Sequence, residues 1–166
     1  GATSVVRHVD VAALVAASFQ RVNRGCQVLP FDFVVRDVRL RARDTILTNA
    51  EKLAALGGGG TDCSAPLAWL NERGRAPDLV VLVSDNQSWV DARKGGRATN
   101  TMSQWEVIKR RNPKAKLVCI DIAPYGTTQA ATRADVLNIG GFSDAVFDQI
   151  ATFASGQTGP DHWVGE

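Results

Sequence analysis

Residues 79–83, LVVLV, are five apolar residues in a row, and they run straight into Ser84-Asp85-Asn86-Gln87-Ser88. A run this short and unbroken suits a strand covered on both faces, as in a parallel sheet held between helical layers. Five polar residues cannot continue such a strand, so it must end there. In open α/β sheets, ligands sit in the crevice beyond the carboxyl ends of the strands. Asp85 therefore stands where a ligand or metal would be held. Most aspartates in that position merely turn the chain and cap the next element, and this run by itself says no more.

The rest of the chain alternates between helical and extended patterns. Residues 8–24 read as a helix rich in Ala, Leu and Phe, with Gly25 as its left-handed stop. Residues 26–35 and 38–40 read as two strands joined through Arg36-Asp37, with Pro30 confined to an unpaired side or a bulge. The alternating charges of RDVRLRAR suit a charge-protected edge strand. Thr48-Asn49-Ala50-Glu51 has the spacing of a capping box and predicts a helix that ends at Gly57. Four glycines come next, then Thr61-Asp62-Cys63-Ser64 and a helix over 65–73. Pro66 fits only its first turn, which places Thr61 and Asp62 at or just before the helix start. Ser103-Gln104-Trp105-Glu106 predicts a second capped helix, which Pro113 forbids beyond Asn112. Residues 116–122 read as another buried strand with Asp121 near its end, and 136–139 as a last short one. In the helix after Ser143, Val146, Phe147, Ile150 and Phe153 share one face. Strands alternating with helices predict a doubly wound α/β domain over 1–154, mostly parallel, with a tail over 155–166. Right-handed crossovers would bring the Thr61 and Asp85 loops to one edge of its sheet.

Composition excludes more than it selects. With 19 basic against 17 acidic residues the net charge is +2, too balanced for bulk attraction to nucleic acid or membrane. Cys26, Cys63 and Cys119 are odd in number and lack CxxC spacing, so they read as reduced thiols in a cytoplasmic protein. The apolar stretch 9–19 carries Asp10 and is too short to span a bilayer. The first residues lack a signal peptide's pattern and an initiator Met, so a segment of a longer protein is expected. Neither GxxxxGK[ST], GxGxxG after a first strand nor GxSxG occurs, and the two histidines, His8 and His162, lie near opposite ends. Covalent hydrolase chemistry has little to work with. What remains is oxygen-rich: Thr61, Ser84 and Asp85, with Asp62 and Asp121 at neighbouring loop ends. Such donors suit Mg²⁺, but one Thr and one Asp do not suffice, and another loop must contribute.

Four stretches together, GGGGTDCSAPL, LVVLVSDNQSWVD, SQWEVIKRRNPKAKLVCIDIAPY and VLNIGGFSDAVFDQIATF, resemble the von Willebrand factor A domain of the Ro (TROVE) proteins of bacterial type. The resemblance covers nearly the whole chain. It implies a Rossmann-like sheet with an antiparallel edge strand and a metal-ion-dependent adhesion site at its carboxyl edge. That site has three parts: a DxSxS loop after the first strand, a Thr and an Asp. Thr61 matches the second part and Asp85 the third; no DxSxS occurs in this chain. The missing first strand would lie centrally, between 26–35 and 79–83, so it is expected upstream of Gly1 or on another chain. The resemblance further implies a monomeric, non-enzymatic interaction domain of a ribonucleoprotein that binds small non-coding Y RNA and misfolded RNA for quality control. There the RNA is held mainly by a ring of helical repeats, which this domain closes, while the metal is offered to a protein partner. Trp89 and Trp105 are candidate contacts, with core packing the commoner role. Two other functions compete. One is a Mg²⁺-dependent phosphoryl-transfer or hydrolytic enzyme using Asp85. The other is direct RNA binding through Arg36, Arg39, Arg41 and Arg43, or through Lys109, Arg110 and Arg111.

Overall fold

The computed structural model describes residues 8–23, 25–41, 43–56, 62–84, 100–122, 134–141 and 143–156. Helix α1 spans His8–Val22, α2 Ile46–Ala54 and α3 Ala65–Glu72; strand β1 spans Leu79–Ser84. Next in order are helix α4 (Asn100–Arg111), strands β2 (Lys116–Asp121) and β3 (Val136–Gly140), and helix α5 (Ala145–Ala154). The three strands form one parallel sheet in the order β1-β2-β3. Strand β2 is central and buried along almost all its length, as its apolar sequence requires.

Side chains alternate across this sheet, and each face has its own helices. Leu82, Leu117, Cys119 and Val136 pack with Leu67 and Leu70 of α3 and with Trp105 and Ile108 of α4. On the other face, Val118 and Ile120 pack with Val15 of α1 and with Val146, Ile150 and Phe153 of α5. Phe147 completes the predicted α5 face by meeting Phe19, with ring centroids 5.2 Å apart. Helices on both faces make the arrangement doubly wound. Each fully buried Leu, Ile or Phe contributes about 1.5–3 kcal/mol, so these two clusters dominate stability. Helix α2 lies outside them and packs on α1 through Ala13, Ala17, Ala50 and Leu53.

Three sequence expectations need correction. Residues 26–40 form no strand and so supply no antiparallel edge strand; only an isolated antiparallel bridge joins Phe31 and Val35. The physical reason is where the apolar residues go. Val28, Val38 and Leu40 pack against α1 and α2, while Leu29 and Phe31 pack on the α3–α4 side. The segment is thus anchored by side chains to helices rather than by a backbone ladder. Its turn is closed by Arg36 N–H donating to the Pro30 carbonyl at 2.7 Å and by the Arg36 guanidinium on Asp32 at 2.6 Å. That guanidinium, with the Val34 N–H, holds the Asp32 carboxyl below its ordinary range.

The other two corrections concern helix starts. The N-cap of α2 is Thr45, not Thr48: its hydroxyl accepts from Thr48 N–H at 3.1 Å. Starting three residues earlier lets Ile46 join the apolar contact with α1. Helix α4 likewise begins at Asn100, so Ser103 lies inside it. Its end is as expected. Asn112 comes directly after Arg111 and donates through Nδ2 to the Pro77 carbonyl and to Asp78 Oδ1, both at 3.0 Å, tying α4 to the start of β1. No described helix is long and apolar enough to cross a membrane.

Candidate functional site at the carboxyl edge of the sheet

The three strands end level with one another. Ser84 of β1 is in register with Asp121 of β2, which is in register with Gly140 of β3. The ladder runs on by one residue: Ile122 N–H donates to the Ser84 carbonyl at 3.1 Å and Gly141 N–H to the Asp121 carbonyl at 2.6 Å. Gly141 has φ of +79°, a conformation that a β-carbon would strain.

Alternation decides which way the two polar ends face. Leu82 and Cys119 belong to the α3–α4 side, so Ser84 and Asp121, two residues further on, fall on that side too. Both are buried, at 5% and 2% exposure. A buried carboxylate at a strand end is costly unless held by polar neighbours, and the loop before α3 lies on the same side.

That loop is built around Asp62. Its Oδ1 accepts from Ser64 N–H at 2.9 Å and from the Ser64 hydroxyl at 2.6 Å. Its own N–H donates to the Asp32 carbonyl at 2.8 Å. The Ser64 oxygen in turn accepts from Asn100 Nδ2 at 2.8 Å, so the start of α3 is tied to the start of α4. The Ser64 hydroxyl therefore makes no cap to α3, although Ser64 is its N-cap residue. Between them Cys63 is fully buried beside Cys119, whose thiol is pushed up by burial and by that neighbour. This contact fixes the height of the loop against β2, one alternation below Asp121. All three cysteines are free thiols.

Of the residues singled out from sequence, Asp62, Ser84 and Asp121 are thus brought to one side of one edge. Thr61 and Asp85 lie outside the described residues, as does Trp89; Thr61 directly precedes Asp62 and Asp85 directly succeeds Ser84 in the chain. Trp105 is core: it is fully buried and its indole N–H donates to Asp135 Oδ2 at 3.0 Å. Asn100 escaped the sequence reading. The signal that would have found it was the helix start, misplaced by four residues. The donor chemistry, all oxygen, fits a hard cation such as Mg²⁺ in kind. Among the described residues no three His, Cys, Asp or Glu side chains are grouped to hold a metal ion.

The family model that matches is the Ro60 vWA domain, over residues 1–154. The chain belongs to that family. A curated relative of this Ro60 vWA domain is the RNA-binding protein RO60 of Deinococcus radiodurans, 26% identical over 146 residues. Those residues are 88% of this chain but 27% of the relative, so the chain spans about a quarter of that protein. The crystal structure of the Deinococcus radiodurans RO (RSR) protein is similar in fold, with a TM-score of 0.71 at 21% identity. The match covers 92% of this chain and 30% of that one. The Ro60 vWA domain therefore has the α/β fold its sequence led one to expect.

Proposed function

We propose that this chain is the non-enzymatic interaction domain of a Ro-like ribonucleoprotein, and that it offers a Mg²⁺-dependent adhesion site to a protein partner. In this reading the parent protein binds small non-coding Y RNA and misfolded RNA for quality control in the cytoplasm, and the domain closes its ring of helical repeats. The observation that carries the site is the polar carboxyl edge, where buried Ser84 and Asp121 share a side with the Asp62–Ser64–Asn100 chain of hydrogen bonds. Thr61 and Asp85, each next in sequence to one of these residues, are the metal donors contributed by this chain, directly or through water. Bound Mg²⁺ would supply an open coordination position for a partner's carboxylate.

The third part of the site is a DxSxS loop on a further strand. Among the described residues β1 pairs on one side only, with β2, and its other edge suits that strand. Apolar exposure supports a contact with the ring of helical repeats. Leu14, Val22, Phe33, Val34, Leu47 and Leu56 are the exposed large apolar residues of the described chain, and all lie on α1, α2 or the segments beside them. Patches of this kind mark interaction surfaces.

Thermal unfolding with and without millimolar Mg²⁺ tests the site. This chain alone should shift little. A longer chain of the same protein that includes a DxSxS strand should be stabilised by about 2.7 kcal/mol when Mg²⁺ is at a hundred times its Kd. Asp85→Ala and Thr61→Ala should each remove that gain. A Mg²⁺ shift that survives Asp85→Ala ends the metal reading, and Mg²⁺-dependent turnover of phosphate esters lost with Asp85→Ala ends the non-enzymatic one.

A further inference from the structure

At the opposite edge, where the strands begin, three helices deliver their carboxyl ends. Asn112 after α4 is bonded to Pro77 and Asp78 ahead of β1, and Lys116 of β2 donates to the Phe153 carbonyl of α5. Arg111 donates through Nε to the Arg75 carbonyl at 2.9 Å, so residues 72–78 and 109–116 form one continuous rim. The first segment carries Arg73 and Arg75 against Glu72 and Asp78; the second carries five basic residues and no acidic one. Seven positive and two negative side chains thus share an edge of a chain whose net charge is +2.

The plain explanation of basic residues here is that they complement helix ends. It covers part of them. Lys109 donates to the Pro113 and Ala115 carbonyls, Arg111 to Arg75, and Lys116 to Phe153. Three helix ends offset only about 0.5 charge each, which leaves a positive excess of more than about three. Arg75, Arg110 and Lys114 are exposed, and their side chains make no hydrogen bond to the fold among the described residues. Arg73 lies over the half-buried Trp69 ring, its Cζ 3.9 Å from the centroid.

The rim lacks what a protein partner would need. Protein interfaces centre on apolar or aromatic anchors in desolvated pockets, and none of the described exposed large apolar residues belongs to 72–78 or 109–116. A row of exposed cations is instead the surface that tracks a nucleic-acid backbone. We propose that this amino-terminal edge of the sheet binds the phosphate backbone of single-stranded RNA. The choice of RNA rests on the Ro-like reading above; the site is separate from the candidate metal edge.

The test is fluorescence anisotropy of a labelled mixed-sequence RNA 12-mer against the full chain at low salt. Arg75→Glu, Arg110→Glu and Lys114→Glu combined should weaken binding about tenfold or more and flatten the log K against log salt slope by about 2, at 0.7 per lost single-strand contact. The Gln versions should act in the same direction more weakly. Arg39→Glu with Arg41→Glu, on the other flank, should change affinity far less. No binding at low salt, equal losses in both sets, or binding of polyglutamate in place of RNA would each overturn the proposal. Because the Mg²⁺ shift of the longer chain is read separately, loss of this surface leaves the metal reading standing, and the converse holds.

Discussion

Trp105 shows how much one side chain settles. It is the largest fully buried residue of the described core, and its only polar atom reaches Asp135 Oδ2 at 3.0 Å. A buried indole N–H that lost its acceptor would forfeit the bond and keep the desolvation, about 1–3 kcal/mol. The bond also joins α4 to the turn entering β3, because the Asp135 carbonyl accepts from Leu117 N–H of β2 at 2.8 Å. Trp105→Phe should therefore cost about 2–4 kcal/mol in urea unfolding, from the lost charged hydrogen bond and the volume left behind. Asp135→Asn, which keeps an acceptor oxygen, should cost less than half as much. No cost at all for Asp135→Asn would mean that packing alone carries the effect, and equal costs for the two variants that the carboxylate bond carries all of it.

Helix boundaries carry a similar lesson one level up. Thr45 has extended backbone, with φ of −66° and ψ of 157°, and its hydroxyl takes the Thr48 N–H. Thr48, where the box pattern puts the cap, is already the third helical residue, and its own hydroxyl accepts from Thr45 Oγ1 at 2.9 Å. Thr45→Ala should thus lower stability by about 1 kcal/mol, while Thr48→Ala and Glu51→Ala should each change it by less than about 0.5 kcal/mol; the reverse order in a chemical denaturation series would restore the sequence-based cap. The strands at 79–84, 116–121 and 136–140 were legible because a buried parallel strand reads as an apolar run of fixed length. Residues 26–40 misled for the same reason. Alternation of apolar and charged residues encodes a half-buried extended segment, and it does not say whether the buried half meets a sheet or a pair of helices. Asp62, Ser84 and Asp121 could be found because each sits where an element starts or stops. The Ser64–Asn100 bond could not, since it joins positions 36 residues apart and exists only once α3 and α4 share a face of the sheet.

The whole molecule is unevenly built, and its motions should reflect that. Strand β2 lies between both large clusters, with Leu117, Val118, Cys119 and Ile120 all at 1% exposure or less. Helix α2 touches neither cluster. Its buried contacts are Ala50 and Leu53 on Ala13 and Ala17 of α1, and an alanine methyl buries far less apolar area than a leucine. Partly buried Ile46, Val28, Val38 and Leu40 add to that contact. Its polar ties are Asn49 Nδ2 to the Arg41 carbonyl at 3.1 Å, and Lys52 to Asp44 at 2.7 Å in a partly exposed pair, the second worth about 0–1 kcal/mol. Regions with few buried apolar contacts open at lower free energy than the core. In native hydrogen exchange, the amides of Asn49–Ala54 should exchange at least about a hundredfold faster than those of Val118–Ile120, a gap of about 2.7 kcal/mol. Low urea should accelerate the β2 amides and leave the α2 amides almost unchanged, because local opening exposes little surface. Leu53→Ala should then speed the α2 amides and the slowest β2 amides by the same factor, because local and global opening both release Leu53, and the gap between them should persist. Convergence of α2 and β2 amides on one free energy would show instead that α1 transmits the stability of the sheet outward in full. In that case the apolar flank around Leu14 and Leu47 would belong to a single rigid body rather than to a separately opening outer layer.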